Sequence, residues 1–85
     1  MMKTSTIRKV LGANVRYYRY LIGYTQEQLA EKCNLSPRYV SDIECNKGNI
    51  PIDTLEKIAV ILKVESYLLI KPQKHPNLPK RVNMK

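Results

Sequence analysis

The sequence has few of the residues that usually build catalytic or metal-binding centres. It contains one histidine, His75, and two cysteines, Cys33 and Cys45, whose spacing matches no zinc or redox motif. With three glycines in 85 residues, it has no glycine-rich loop for a nucleotide phosphate. These shortages argue against an enzyme, and we expect no catalytic residue, no metal and no other cofactor.

Long hydrophobic runs are missing as well. The most apolar window, residues 58–70, is interrupted by Lys63 and Glu65, so it falls short of the run of about 18 apolar residues that a membrane helix needs. The first residues, MMKTSTIRK, lack the apolar core of a signal peptide. We therefore expect a cytoplasmic protein with no membrane partner.

Residues 25–44, TQEQLAEKCNLSPRYVSDIE, contain the start and stop signals of two short helices. Thr25 is a good N-cap, and Gln28 lies where it can complete a capping box. Asn34 suits the left-handed backbone that ends such a helix. Ser36 is the next N-cap, and Pro37 occupies the first helical position, where a missing N–H does no harm. The pattern predicts two helices joined by a sharp turn.

The side chains of this pair indicate how the helices pack. Ala30 is small enough for a crossing helix to approach closely, and Leu35 can fill the core beneath the turn. Val40 and Ile43 are the large apolar residues that face inward on the second helix. The outward positions are Arg38, Ser41, Asp42 and Cys45, with Tyr39 on the flank. A solvated amphipathic helix is the alternative, but the combined pattern favours a helix-turn-helix whose second helix serves a partner.

Apolar periodicity predicts three further helices in a single small domain. The first covers residues 7–22, with a stripe formed by Leu11, Val15, Tyr18 and Ile22, and Tyr17 and Tyr20 fall outside that stripe and are expected to be exposed. The other two cover residues 52–63 and 66–70. Leu55, Ile58, Ala59 and Leu62 form the buried side of the first of these.

A set of residues across this region carries a family resemblance: Arg16, Arg19, Gly23 and Tyr24 before TQEQLA, then Leu35, Val40, Ile43 and Glu44, and finally PIDTLEKIAVILKV. The chain resembles the phage repressor and Cro-like helix-turn-helix family, also called the xenobiotic-response-element family. That family includes restriction-modification controller proteins and plasmid and transposon repressors. The resemblance implies an all-α, compact five-helix domain like that of lambda repressor, which binds operator DNA, usually as a two-fold dimer. Asn34 stands where many members carry glycine, a change that the turn should tolerate.

The net charge of +8 lies entirely at the two ends of the chain. Residues 10–70 contain equal numbers of basic and acidic side chains, so bulk charge says little about the domain itself. We divide the chain into a basic N-terminal extension (1–9), the helix-turn-helix domain (10–70) and a basic, proline-containing C-terminal tail (71–85) that is expected to be disordered. The tail could add phosphate contacts or serve only to keep the protein soluble.

Arg38 is the best candidate for reading a base, because its guanidinium can bridge O6 and N7 of guanine in the major groove. Tyr39 and Ser41 offer hydroxyl groups to bases or phosphates. Asp42 repels phosphate, so it either accepts a hydrogen bond from cytosine N4 or holds Arg38 in place. A plain surface pair between Arg38 and Asp42 is the alternative.

Other polar residues are expected to contact the phosphate backbone. Thr25 and Gln26 lie at the positive end of a helix, and Asn46, Lys47 and Arg16 lie where they can reach a phosphate. The complete set predicted to contact DNA is Arg16, Thr25, Gln26, Ser36, Pro37, Arg38, Tyr39, Ser41, Asp42, Asn46 and Lys47.

Two further groups have structural roles in this interpretation. Glu44 lies on the inward side of its helix, where a carboxylate needs a partner. The resemblance suggests Arg19, one of the family-like basic positions on the first helix, as that partner. Two separately solvated charges are the alternative. The resemblance also implies a dimer interface in the last helix, formed by Tyr67, Leu68 and Ile70, while Leu69 closes the core.

The sequence thus predicts a DNA-binding transcriptional regulator, a repressor or controller that acts as a homodimer on a palindromic operator in double-stranded DNA. No small-molecule ligand is inferred. The competing hypothesis is an antitoxin-like or other protein-interaction module that uses the same fold, with its basic ends attracting an acidic partner.

Overall fold

The computed structural model describes residues 4–75, which form five α-helices. Helix α1 is Thr4–Ile22, α2 is Gln26–Cys33, α3 is Pro37–Glu44, α4 is Ile52–Leu62 and α5 is Tyr67–Ile70. No strand occurs within this described range, so the all-α prediction is confirmed. None of these helices combines the length and the apolar composition that crossing a membrane requires.

The helix ends follow the predicted caps in the middle of the chain and differ elsewhere. Helix α1 begins at Thr4 and not near Ile7, so most of the predicted N-terminal extension is helical, in a stretch without proline or glycine to stop it. Helix α4 ends at Leu62, one residue earlier than expected. Lys63 takes a left-handed backbone (φ 63°) as its C-cap, and the N–H of Val64 donates to the carbonyl of Ala59.

The core lies where α1 meets α3 and α5 and where α2 meets α3 and α4. Its buried apolar side chains are Leu11, Val15, Leu29, Ala30, Cys33, Val40, Ile43, Ile58, Ala59, Leu62 and Leu69. Burial raises the pKa of the Cys33 thiol, an effect that Lys57 partly opposes, so Cys33 is a packing residue and not a reactive thiolate.

A buried asparagine joins the end of α5 to α1. Asn14 is 1% exposed, and its Nδ2 donates to the carbonyls of Leu69 (2.9 Å) and Lys71 (3.0 Å). Both amide hydrogens are therefore used, which leaves Oδ1 as an acceptor for Nε2 of His75 at 2.6 Å. The carbonyls at the end of a four-residue helix thus obtain partners from another element.

Residues 71–75, which the sequence analysis assigned to the C-terminal tail, pack along α1. Tyr18 Oη donates to Gln73 Oε1 (3.1 Å), and Gln73 Nε2 donates to the carbonyl of Leu68 (2.7 Å). The His75 ring stacks on Tyr17 with 3.8 Å between ring centroids. The rest of the predicted tail, including Lys80, Arg81 and Lys85, lies outside the described residues.

The two tyrosines expected to be exposed are both half-buried. Tyr17 is covered by the His75 ring, a contact between residues far apart in sequence. Tyr20 lies under the Arg19 guanidinium, whose central carbon is 4.8 Å from the ring centroid. The helical periodicity placed both tyrosines off the apolar stripe, but it could not show which groups would cover them.

Arg19 and Glu44 form the predicted ion pair between α1 and the end of α3. Arg19 Nε donates to Glu44 Oε2 (2.6 Å) and Nη2 donates to Oε1 (2.9 Å), with the side chains 5% and 4% exposed. Arg19 Nη1 also donates to the carbonyl of Tyr24 (2.8 Å). This bidentate geometry fixes both the distance and the rotation of α3 relative to α1.

Replacing Asn14 by alanine should lower the free energy of unfolding by about 2 kcal/mol or more, because the buried carbonyl of Leu69 and the part-buried carbonyl of Lys71 lose their donor. In a domain of this size that corresponds to a fall of roughly 10 °C in the thermal midpoint, measured by circular dichroism. His75→Ala is the matched comparison and should have a clearly smaller effect, because it leaves both carbonyl bonds intact. A midpoint for Asn14→Ala equal to that of the wild type would contradict this role.

Glu44→Ala should lower the free energy of unfolding by about 3–5 kcal/mol, because it leaves the Arg19 guanidinium buried without its partner. Asp42→Ala, which removes the exposed pair with Arg38, should change it by about 0–1 kcal/mol. Glu44→Gln keeps the shape of the side chain, and its loss of unfolding free energy should lie between those of the other two variants. Urea denaturation measures all three variants, and equal midpoints for Glu44→Ala and Asp42→Ala would refute the structural importance of the buried pair.

Candidate nucleic-acid interface

The turn between α2 and α3 is built from main-chain hydrogen bonds around Asn34. This residue has φ 57°, and its N–H donates to the carbonyl of Glu31 (3.1 Å). The N–H of Leu35 donates to the carbonyl of Ala30 (2.8 Å), and Leu35 packs against the core. Ala30 is fully buried, as a close helix crossing requires. The predicted helix-turn-helix geometry is therefore present.

Helix α3 turns one narrow face inward and leaves the rest accessible. Val40 is fully buried and Ile43 is 4% exposed, whereas the Arg38 side chain is 86% exposed. Arg38 Nε lies 3.4 Å from Asp42 Oδ1, so the pair that was considered as an alternative is formed. It is loose and solvent-exposed, which leaves most of the Arg38 hydrogen-bond donors free for a ligand.

The N-terminal ends of α2 and α3 are capped as predicted. Thr25 Oγ1 accepts from the N–H of Gln28 (3.1 Å), and Gln28 Oε1 accepts from the N–H of Thr25 (2.8 Å). Ser36 Oγ accepts from the N–H of Tyr39 (3.0 Å). Because each capping hydroxyl acts there as an acceptor, its own hydrogen remains able to donate to a phosphate oxygen. Pro37 is exposed but has no N–H, so it can offer only an apolar contact.

Two residues predicted to contact DNA, Gln26 and Tyr39, already donate side-chain hydrogen bonds within the protein. Gln26 Nε2 donates to Glu44 Oε1 (3.1 Å), which joins the first turn of α2 to the buried ion pair. Tyr39 Oη donates to the carbonyl of Asn49 (2.9 Å), so its hydroxyl hydrogen is used to hold the loop after α3. Gln26 keeps a second amide hydrogen, whereas Tyr39 can meet DNA only as an acceptor or through its ring.

The loop after α3 begins with a tight C-terminal cap. Asn46 has φ 68°, its N–H donates to the carbonyl of Ile43 (3.1 Å), and the N–H of Lys47 donates to the carbonyl of Asp42 (2.8 Å). Gly48 has φ 76°, a left-handed backbone that glycine adopts without strain. The side chains of Asn46 and Lys47 are exposed at this end of α3.

Helix α1 touches the same loop through residues that the sequence analysis did not single out. A Cβ atom on Gly12 would lie 2.7 Å from the carbonyl oxygen of Ile43, so only glycine permits this approach. Arg8 donates from Nε to the carbonyl of Gly48 (2.9 Å) and from Nη2 to Asn49 Oδ1 (2.8 Å). No local sequence signal links Arg8 to a loop 40 residues away.

The cationic side chains of the site border α3 on one side of the domain. Arg38 lies at its first turn and Lys47 just beyond its end, and both are exposed. Arg16 lies one turn after Gly12 on α1, on the side of that helix that meets α3, and it is also exposed. Asp42 is the acidic residue on the outer part of α3. The arrangement combines an exposed helix with flanking cations, which is suited to binding a polyanion.

Comparison with known proteins agrees with this geometry. The profile of the helix-turn-helix family HTH_3 matches residues 15–69. A hypothetical transcription factor from Neisseria meningitidis serogroup B is 41% identical over 73 residues, which cover 85% of this chain and 69% of that protein. The crystal structure of the Neisseria hypothetical transcription factor NHTF superposes with a TM-score of 0.76 at 37% identity, covering 85% of this chain and 84% of that one.

Two further relatives have names that describe a regulatory activity. The control protein C.BamHI from Bacillus amyloliquefaciens is 40% identical over 63 residues, 73% of this chain and 78% of that protein. SinR, an HTH-type transcriptional regulator from Bacillus subtilis, is 36% identical over 67 residues, and the match spans 78% of this chain and 60% of SinR. A crystal structure of SinR in complex with DNA superposes with a TM-score of 0.68 at 35% identity, covering 72% of this chain and 98% of that one. From the extent of the profile match and the level of identity, the chain belongs to the helix-turn-helix family.

Proposed function

We propose that this protein is a sequence-specific regulator of transcription that binds double-stranded DNA as a dimer, with α3 in the major groove. The observation that carries the proposal is the pairing of a buried anchor with an exposed reading face on one short helix. Glu44 is held by Arg19 with a side chain 4% exposed, while the Arg38 side chain on the same helix is 86% exposed. The relative SinR, solved in complex with DNA, supports this proposal.

Arg38 is the residue proposed to recognise a base. An arginine at the first turn of a recognition helix can donate two hydrogen bonds to the O6 and N7 acceptors of guanine. Asp42, 3.4 Å from the Arg38 Nε, can orient that guanidinium or accept from a neighbouring cytosine N4. Ser41 is half-buried beside them and offers a hydroxyl to the same stretch of groove.

The phosphate contacts are proposed to lie on both sides of α3. Lys47 and Asn46 follow its C-terminal end, and Arg16 is exposed on the adjoining side of α1. The N-terminal end of α2, with the hydroxyl of Thr25 and the remaining amide hydrogen of Gln26, supplies donors at the positive end of a helix. Such contacts set the position of the domain on the duplex, whereas base contacts set the sequence preference.

The dimer is proposed to form through α5. Tyr67 is 60% exposed and Ile70 is 48% exposed, and Leu68 is half-buried between them, whereas Leu69 is fully buried as the core residue. Two large apolar side chains exposed on a four-residue helix form a patch that a two-fold partner can cover. Two α3 helices related by that axis would meet successive turns of the major groove, which corresponds to a palindromic operator. Binding would then depend on protein concentration through the dimer equilibrium.

Arg38→Ala should reduce discrimination between the preferred site and random duplex by about 1–3 kcal/mol, because it removes a base contact. Lys47→Ala should weaken binding to both duplexes alike and lower the slope of log affinity against log salt by about 0.9, because it removes a phosphate contact. The preferred site is first obtained by selection from a random duplex pool, and affinities are then measured by fluorescence anisotropy at several salt concentrations. Equal losses on both duplexes for Arg38→Ala would contradict the assignment.

The same selection separates the two functional hypotheses. A regulator of this kind should enrich a two-fold consensus. Failure to enrich any sequence, together with co-purification of a small acidic protein in stoichiometric amount, would favour the protein-interaction module.

Tyr67→Glu and Ile70→Glu should each shift the protein toward a monomer at micromolar concentration, because a charge in the apolar patch opposes its burial. Sedimentation equilibrium measures the shift. Ile7→Glu is the control, since Ile7 is comparably exposed (53%) but lies beside the 46–50 loop and not beside α5. A wild-type protein that remains strictly monomeric would remove the proposed interface.

A further inference from the structure

The loop formed by residues 46–50 connects α3 to the segment before α4 and is held mainly by polar contacts at its edge. Arg8 donates to the carbonyl of Gly48 and to the side chain of Asn49. Tyr39 donates to the main-chain carbonyl of the same asparagine. Asn49 is therefore bound from two helices, α1 and α3, although it is itself exposed.

Apolar packing anchors this loop at its last residue, Ile50, which packs against the core, and gives the exposed residues before it little support. Beneath it lies a cavity of about 190 Å³, bordered by the apolar side chains of Ile7, Leu11, Ile43 and Ile50. A loop that spans an open apolar cavity gains few close contacts from below. The Arg8 hydrogen bonds at its rim therefore have a large share in fixing its shape.

The hydrogen bond from Arg8 to the Gly48 carbonyl determines the direction in which the next main-chain N–H, that of Asn49, points. In a trans peptide the C=O and the following N–H point in opposite directions. Because Arg8 on α1 binds the carbonyl of Gly48, the N–H of Asn49 is turned away from α1. Within residues 4–75 this N–H has no hydrogen-bond acceptor, and the exposed side chain of Lys47 lies two residues before it.

The electrostatics at the C-terminal end of α3 favour a loop that presents N–H groups outward and directs its carbonyls inward. The C-terminal end of α3 carries the negative end of the helix dipole, which by itself repels a phosphate. The loop must therefore supply N–H groups and cations and keep its carbonyls directed inward. Binding of the Gly48 carbonyl by Arg8 meets the second requirement and brings a further positive charge close to the loop.

We propose that Arg8 is a positioning residue for DNA binding: it holds the 46–50 loop so that Lys47 and the free N–H of Asn49 contact one backbone phosphate at the end of α3. The proposal rests on the proposed function and assigns a role to a residue that sequence analysis counted only as part of a basic extension. Arg8 acts through the loop, and the phosphate is bound by Lys47 and the main chain.

The test compares Arg8→Gln, which removes both hydrogen bonds to the loop, with Asn49→Ala, which removes the side-chain bond, changes no charge and leaves the bond to the Gly48 carbonyl. Both variants should bind the selected site and random duplex more weakly, Arg8→Gln by about tenfold, because charged hydrogen bonds that fix a phosphate ligand are lost. The salt slope should fall in Asn49→Ala as well, although no charge has been removed. The double variant should bind no more weakly than Arg8→Gln alone. Lys9→Gln removes an exposed charge from the same helix and corrects for net charge.

A measurement without DNA separates this proposal from the function on which it rests. The ¹⁵N relaxation of the Gly48 and Asn49 amides in the free protein, which lie at the Arg8 contacts, should show greater motion in Arg8→Gln and Asn49→Ala than in the wild type or Lys9→Gln. Unchanged relaxation would show that Arg8 does not hold the loop and would overturn the proposal, whether or not the protein binds DNA. If the relaxation changes but the wild type binds no duplex, the proposed function fails, while the role of Arg8 in holding the loop is retained. Weaker DNA binding in Arg8→Gln with unchanged relaxation of the Gly48 and Asn49 amides would instead show that Arg8 contacts a phosphate directly, and this would also overturn the proposal.

Discussion

The buried pair of Arg19 and Glu44 fixes the rotation of helix α3, whose buried apolar face is narrow. Helix α3 has eight residues, and its large buried side chains are Val40 and Ile43. Two apolar contacts can hold such a helix against the core but permit it to rotate about its own axis. The bidentate bond at 2.6 and 2.9 Å restricts that rotation, so the exposure of Arg38 is set by a contact on the opposite side of the helix.

Helix α1 is the element on which the remaining parts are arranged, and it uses different sides for different partners. Gly12 and Arg8 face the end of α3 and the loop that follows it. Asn14 and Tyr18 face α5 and residues 71–75. The surface proposed to read DNA, on α3, and the surface proposed to form the dimer, on α5, therefore both pack against the same helix, α1. This arrangement fixes the orientation of one surface relative to the other, which two-fold binding to DNA requires.

The parts of the fold that were predicted correctly depend on short-range chemistry. The capping box of Thr25 and Gln28, the left-handed Asn34 and the Ser36 cap each involve groups within a few residues. The Arg19–Glu44 pair was inferred over a longer distance because an inward carboxylate requires a partner and the family resemblance supplied one. The individual DNA contacts stay predictions, but the structure shows that Gln26 and Tyr39 already donate hydrogen bonds within the domain.

By itself, the sequence determined the helix-turn-helix, its caps and the residues that point outward from α3, because helical periodicity and capping act within one or two turns. Only the tertiary structure decided that residues 71–75 pack on α1, that Tyr17 is covered by His75 and that Arg8 holds the loop after α3. These contacts join groups 40 to 61 residues apart. They consist of single hydrogen bonds or a ring stack, which leave no periodic pattern in the chain. Their partners are fixed only once the core has brought the helices together.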